Sequence, residues 1–258
     1  MSTELLSGPG ATILDKEDCS PMRVAQEVIK VCQNFTRATY LRLQFLDEYM
    51  VAILLTCLAP IYSRLRSVNL YVNPTGGRIV GNLHTINNAI MAMAHPLRSI
   101  DTTNFPMTGE GLAHLARLNS LQYVRLMSGA GLPFLRNCQL VALELYAPVV
   151  SMIDVLAALQ SSHSSIRKLV LAEIKLQGNG FNRLSDEEAK ERVIEQVKKF
   201  SDALKFINLN NCTWVDKDIL WALEGAESIF CVGCGIAQSV ADDLLKSSQK
   251  TTTCFVDF

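Results

Sequence analysis

The pair Cys231-x-x-Cys234 has the spacing of a redox dithiol or of half a zinc site, so it is the first place to look for chemistry. A four-ligand zinc site needs a second pair, and neither another C-x-x-C nor a paired histidine follows. Read as part of one strand, the two cysteines stand an odd number of residues apart, which predicts Cys234 toward the core and Cys231 on the opposite face. The histidines, His84, His95, His114 and His163, are dispersed, without H-E-x-x-H and without a Ser or Cys pattern of an activated nucleophile. Gly76-Gly77 follows a strand-like stretch, but neither G-x-G-x-x-G nor G-K-[ST] accompanies it. The expectation is a protein without catalytic residues, metal ligands or cofactor.

What must position any functional side chain is a repeated unit, clearest at residues 204–223. Leu204, Ile207 and Leu209 give L-x-x-L-x-L, with Asn208 between the last two as a one-sided strand requires. Cys212 follows at a corner, Asp216 can cap a helix, and Ile219, Leu220 and Leu223 follow at helical spacing. Such a unit cannot bury its apolar side alone and needs stacked copies. The same register fits Ala38/Leu41/Leu43, Leu65/Val68/Leu70, Leu97/Ile100/Thr102, Leu121/Val124/Leu126, Leu140/Leu143/Leu145 and Ile166/Leu169/Leu171, and after the Leu204 unit it fits Ile229/Val232/Cys234 and, weakly, Thr251/Cys254/Val256. Successive starts lie 19 to 38 residues apart, so two intervals read as insertions.

The Leu204 unit resembles the cysteine-containing leucine-rich repeat, L-x-x-L-x-L-x-x-C-x-x-I-T-D followed by a helix, of F-box/leucine-rich-repeat proteins and antagonist-of-mitotic-exit proteins. Cys212 and Val215 match, whereas Asp216 and Lys217 replace the Thr-Asp pair. The Ile229 unit keeps Val240, Ala241 and Asp242 with Ala237 at the cysteine position, and Thr108-Gly109-Glu110-Gly111-Leu112 echoes T-D-E-G-L with Phe105 there. The resemblance covers about residues 38–258. It implies an α/β leucine-rich repeat solenoid of about eight or nine irregular repeats, with a curved parallel sheet on the concave side and helices on the convex side. It also implies either a substrate-recognition adaptor of a ubiquitin ligase or a non-enzymatic subunit of a larger hetero-complex. A regulator that occludes an enzyme, as ribonuclease-inhibitor-like repeats do, is a third reading.

The rest of the chain fits that frame. Residues 1–19 hold Gly8-Pro9-Gly10 and an acidic run, and read as a flexible tail without a signal or transit peptide. Residues 20–37 read as an N-terminal capping helix with Val24, Val28, Val31, Cys32 and Phe35 on one face, too short for a three-helix F-box. The apolar stretch 47–62 falls short of a membrane span and reads as a buried helix. Around Ser128 to Pro133 there is no room for a full helix, whereas Ser185 and Glu188 have capping-box spacing before a long charged helix buried through Val193, Ile194, Val197 and Phe200. Eight scattered cysteines on apolar-periodic positions suit buried thiols in a reducing compartment, cytoplasmic or nuclear. A formal net charge of −1 gives no reason to expect nucleic acid or an anionic membrane.

Outward positions then carry the function. The third, fifth and seventh residues of each unit alternate with the buried ones, and they hold four of the six tyrosines. The partner-binding candidates among them are Tyr40, Arg42, Asn69, Tyr71, Asp101, Tyr123, Arg125, Glu144, Tyr146, Phe206 and Asn208. Aromatic rings and guanidinium groups anchor protein interfaces, and a nucleic-acid stripe would need more Lys and Arg. The sequence therefore predicts a non-catalytic scaffold or adaptor for a protein partner.

Overall fold

Alternating apolar residues form strands wherever one face can be covered, and in the computed structural model they do so in two units, Met1–Leu121 and Gln122–Phe258. The structure describes residues 2–4, 13–15, 23, 26, 30, 39–46, 48–72, 80–93, 96–102, 107–147, 149–173, 175–176 and 186–256.

In the first unit, β1 (Ser2–Glu4) and β2 (Ile13–Asp15) pair antiparallel, in a stretch where composition alone predicts a flexible tail. Arg23, Gln26 and Lys30 are helical and exposed, while the apolar face of the expected capping helix lies outside the described residues. Then follow β3 (Tyr40–Leu46), α1 (Glu48–Leu58), β4 (Ser67–Val72), α2 (Val80–Met91), β5 (Ser99–Asp101) and α3 (Gly109–Ala116). The three repeat strands are parallel, with Leu41 beside Val68 and Val68 beside Ile100. All three side chains are buried. The apolar stretch becomes α1 and a 3-10 turn, Ala59–Arg64. Pro60 has no N–H for the α-helical ladder and biases Ala59 away from helix, which explains the change at Leu58. Val51, Leu54, Leu55, Leu58 and Ile61 are sealed in the core. No described helix is long and apolar enough to cross a membrane. The turn cluster Asn73-Pro74-Thr75-Gly76-Gly77 and Phe105 lie outside the described residues.

The second unit continues the pattern with β6 (Tyr123–Leu126), a 3-10 turn at Leu132–Asn137, β7 (Ala142–Leu145), β8 (Val149–Val150), α4 (Met152–Ala158), β9 (Lys168–Val170), β10 (Lys175–Leu176), α5 (Asp186–Ser201), β11 (Phe206–Asn208), α6 (Lys217–Ala222), β12 (Ser228–Phe230), α7 (Gln238–Ser247) and β13 (Thr253–Phe255). The glycine-rich stretch after β6 does leave only a 3-10 turn. β6, β7, β9, β11, β12 and β13 are parallel and follow chain order, whereas β8 and β10 form a separate parallel pair. One buried row runs across all six through Val124, Leu143, Leu169, Ile207, Ile229 and Cys254. Three repeat strands in the first unit and six in the second, parallel within each unit and interleaved with helices or 3-10 turns, give each unit a solenoid-like α/β pattern. On α5, Val197 and Phe200 are buried as expected; Ser185 and the side chain of Val193 lie outside the description.

The pairing corrects one register. Ile229 stands beside Ile207, so it is the second apolar position of its unit and not the first. The unit is Ala226/Ile229/Cys231, all buried, while Val232 is exposed and Cys234 half-buried.

Strand starts share a hydrogen-bond device. In the first unit the carbonyl just before β3 and that before β4 each accept two amides from the next strand's start: Thr39 O accepts from Arg66 N at 2.7 Å and Ser67 N at 3.2 Å, and Arg66 O accepts from Arg98 N and Ser99 N at the same two distances. In the second unit Gln122 O, Val141 O and Arg167 O each accept a pair in the same way, at 2.7 to 3.1 Å. At β12 the pair separates, Glu227 N going to Leu204 O and Ser228 N to Lys205 O. Buried hydroxyls complete these corners: Ser162 Oγ accepts from Leu140 N at 2.9 Å and donates to Cys138 O at 3.0 Å. Backbone groups taken from water are thereby satisfied.

Candidate protein-binding face

Every proposed contact residue sits on a repeat strand or directly beyond its end, because the pleat turns alternate side chains away from the core. In the first unit Tyr40, Arg42, Asn69, Tyr71 and Asp101 are all half-buried on the outward side. Register places Arg42 beside Asn69 and Asn69 beside Asp101. The Asn69 amide donates to the Asp101 carboxylate at 2.8 Å.

In the second unit the outward residues form a connected chain. The Arg125 guanidinium lies 4.8 Å from the centre of the Tyr146 ring and donates to its hydroxyl at 3.1 Å, and that hydroxyl donates to Glu144 at 3.1 Å. Glu144 holds two cations, Arg125 at 3.6 Å and Lys168 at 2.7 Å. The carboxylate side chain is 16% exposed, its cations 40% and 44%. Lys168 in turn reaches over the Phe206 ring, 5.9 Å from its centre. From there an aromatic ladder continues, Phe206 to Phe230 at 5.1 Å and Phe230 to Phe255 at 5.0 Å between ring centres. These are the separations at which aromatic rings attract. Tyr123 stands at the other end of the face, 48% exposed, and Phe255 is 45% exposed. Asn208 is spent locally, its side-chain oxygen accepting from Asn210 N at 2.9 Å.

Three features were not reached from the sequence. With Ile229 taken as first position, Phe230 does not fall on an outward place; with Ala226 first, it occupies the fifth. Phe255 holds that same position in the Thr251 unit, whose weak apolar pattern hid it. Val170, an outward position by alternation, is buried beside Glu144 and Asn208. The cysteines also need correction. Cys231 is the buried one and Cys234 the half-buried one, and a turn joins them, so they are not alternating residues of one strand.

No family model matches the sequence, and no curated protein does. Among solved structures, that of a protein from Bacteroides fragilis is similar over 95% of this chain and 86% of its own, with a TM-score of 0.40 and 10% sequence identity.

The described residues include no group of three His, Cys, Asp or Glu side chains that could hold a metal ion. His84 is exposed on α2, His163 lies in the turns before β9, and His95 is outside the description. Desolvation, with Arg117 nearby, lowers the pKa of His114 on α3. On the outward face of the second unit, by contrast, rings, a buffered carboxylate and two half-exposed cations stand within one another's reach. That set offers apolar area with fixed charges at its margin, which is the chemistry of an interface anchor.

Proposed function

We propose that this chain is a leucine-rich repeat protein that binds another protein through the outward face of its repeat strands, acting as a non-catalytic adaptor or scaffold. The observation that carries the reading is the unbroken row from Tyr146 through Arg125, Glu144 and Lys168 to Phe206, Phe230 and Phe255. A row of aromatic rings left in contact with water gains by being covered, at roughly 25 cal/mol per Å² of apolar surface removed from water. The charges beside it fix orientation and exclude mismatched partners.

The test is affinity capture from native lysate with the wild type, a Tyr123→Ala/Phe255→Ala variant, and an Ile153→Ala control whose exposed side chain lies on α4. Proteins retained by the wild type and the control but lost from the double variant, with unchanged circular dichroism, support the face. Partners retained by all three chains overturn it. The captured identity then separates the readings within the class. A ubiquitin-ligase scaffold means an adaptor, and an enzyme whose turnover falls on adding the chain means a regulator.

A further inference from the structure

The turn at residues 231–234 brings two thiols together in a geometry fit for covalent chemistry. Val232 and Gly233 are its central residues, and Gly233 has φ of 76°, as the third position of a type II turn requires. Such a turn holds its first and fourth Cα atoms within about 7 Å. Disulfides span about 4.4–6.8 Å between Cα atoms. The Cys234 side chain is the chief influence that raises the Cys231 pKa, with burial second. The turn is braced from the preceding repeat, since Asn211 N donates to Val232 O at 2.7 Å and Val232 N donates to the Asn210 side-chain oxygen at 2.9 Å. A Cβ at Gly233 would lie 2.0 Å from the Asn211 side-chain oxygen, so the glycine holds this approach open. Access is unequal: Cys231 is buried, whereas Cys234 is half-buried, with its sulfur 3.1 Å from Leu209 O.

We propose that Cys231 and Cys234 form a dithiol site that a hydroperoxide converts to a disulfide and a thiol reductant restores. The half-buried Cys234 meets the oxidant first. Its sulfur takes an oxygen atom as the peroxide O–O bond breaks, an alcohol or water leaves, and the thiol becomes a sulfenic acid, oxidised by two electrons. The Cys231 sulfur then displaces the hydroxyl group. An S–S bond forms, the S–O bond breaks, and the Cys231 proton departs with the hydroxyl as water. The Cys234 side chain and burial both raise the Cys231 pKa, so Cys231 is not the first target of the oxidant. Cys212 and Cys254, the other cysteines near Cys231, are both buried, and Cys212 donates to Leu171 O at 2.8 Å. The site is independent of the protein-binding reading.

The experiment treats the folded full-length chain with hydrogen peroxide, blocks remaining thiols with N-ethylmaleimide, and analyses tryptic peptides by mass spectrometry. Both cysteines lie in the peptide of residues 218–246, Cys212 in 206–217 and Cys254 in 251–258. The expected result is a 218–246 peptide that carries no maleimide and lacks two hydrogens, restored by dithiothreitol. Links from it to either other peptide, or full alkylation of both cysteines after Cys57, a half-buried thiol on α1, has been oxidised, overturn the proposal. A Cys231→Ser variant should leave Cys234 as a sulfenic acid captured by dimedone; failure to label it counts against the site. If that variant does not fold, Cys234→Ser, at the more exposed position, must leave Cys231 reduced and open to maleimide on denaturation.

Discussion

Neutral hydroxyls matter more to this molecule than its most visible ion cluster. Ser162 is wholly buried and satisfies one amide and one carbonyl, so Ser162→Ala leaves both without a partner and should cost about 1–3 kcal/mol in denaturant melts. Glu144→Ala breaks two ion pairs whose cations are substantially exposed, and the loss should stay within about 1 kcal/mol. The thiols set an alkaline limit. Burial, with the Asp242 carboxylate nearby, pushes Cys254 from 9.0 up to about 11. A thiol whose folded pKa lies above its unfolded value stabilises fully below about pH 9, and that contribution drains away as pH rises toward about 11. Guanidinium midpoints should therefore fall between about pH 8 and pH 11, and by less in a Cys254→Ala variant.

At the scale of the element, helix starts differ in how well they are closed. The Asp216 carboxylate accepts from Asp218 N at 3.0 Å and Ile219 N at 3.1 Å at the start of α6, whereas Ala237 heads α7 without a side-chain cap. Asp216→Ala should cost about 0.5–2 kcal/mol, and Ala237→Ser should raise the melting midpoint. The Asp216 cap was legible because Asp before an apolar helical stripe leaves few other readings. Strands with large residues at all three apolar positions, such as Leu140/Leu143/Leu145, were legible for the same reason: nothing else along them could fill the core. The Ala226 unit was not, since only Ile229 is bulky there and exposed Val232 offers a competing pattern three residues on. That one slip hid Phe230 and inverted the cysteines. Side-chain couplings between strands, such as Lys168 over Phe206, depend on pairing between residues far apart in sequence, which single-strand alternation does not carry.

Across the whole molecule, stacked units share stability mainly with their neighbours. Leu143→Ala, in the interior of the second unit, should cost about 2–5 kcal/mol and lower hydrogen-exchange protection on β6, β7 and β9 together. Cys254→Ala, on β13 at the end of the order, should lower protection there and on β12 while sparing β6. The carbonyls that receive two amides at most strand starts reach further than stability. A strand started in this way is hung at its first residue on the strand before it, so its alignment does not depend on how much chain was used to get there. Starts as close as Leu121 and Leu140, or as distant as Ile166 and Leu204, arrive in the same alignment. A lineage built on this chain can therefore lengthen or trim its connections one residue at a time without exchanging inner for outer side chains, and novelty can accumulate in the connections while the strands keep their place.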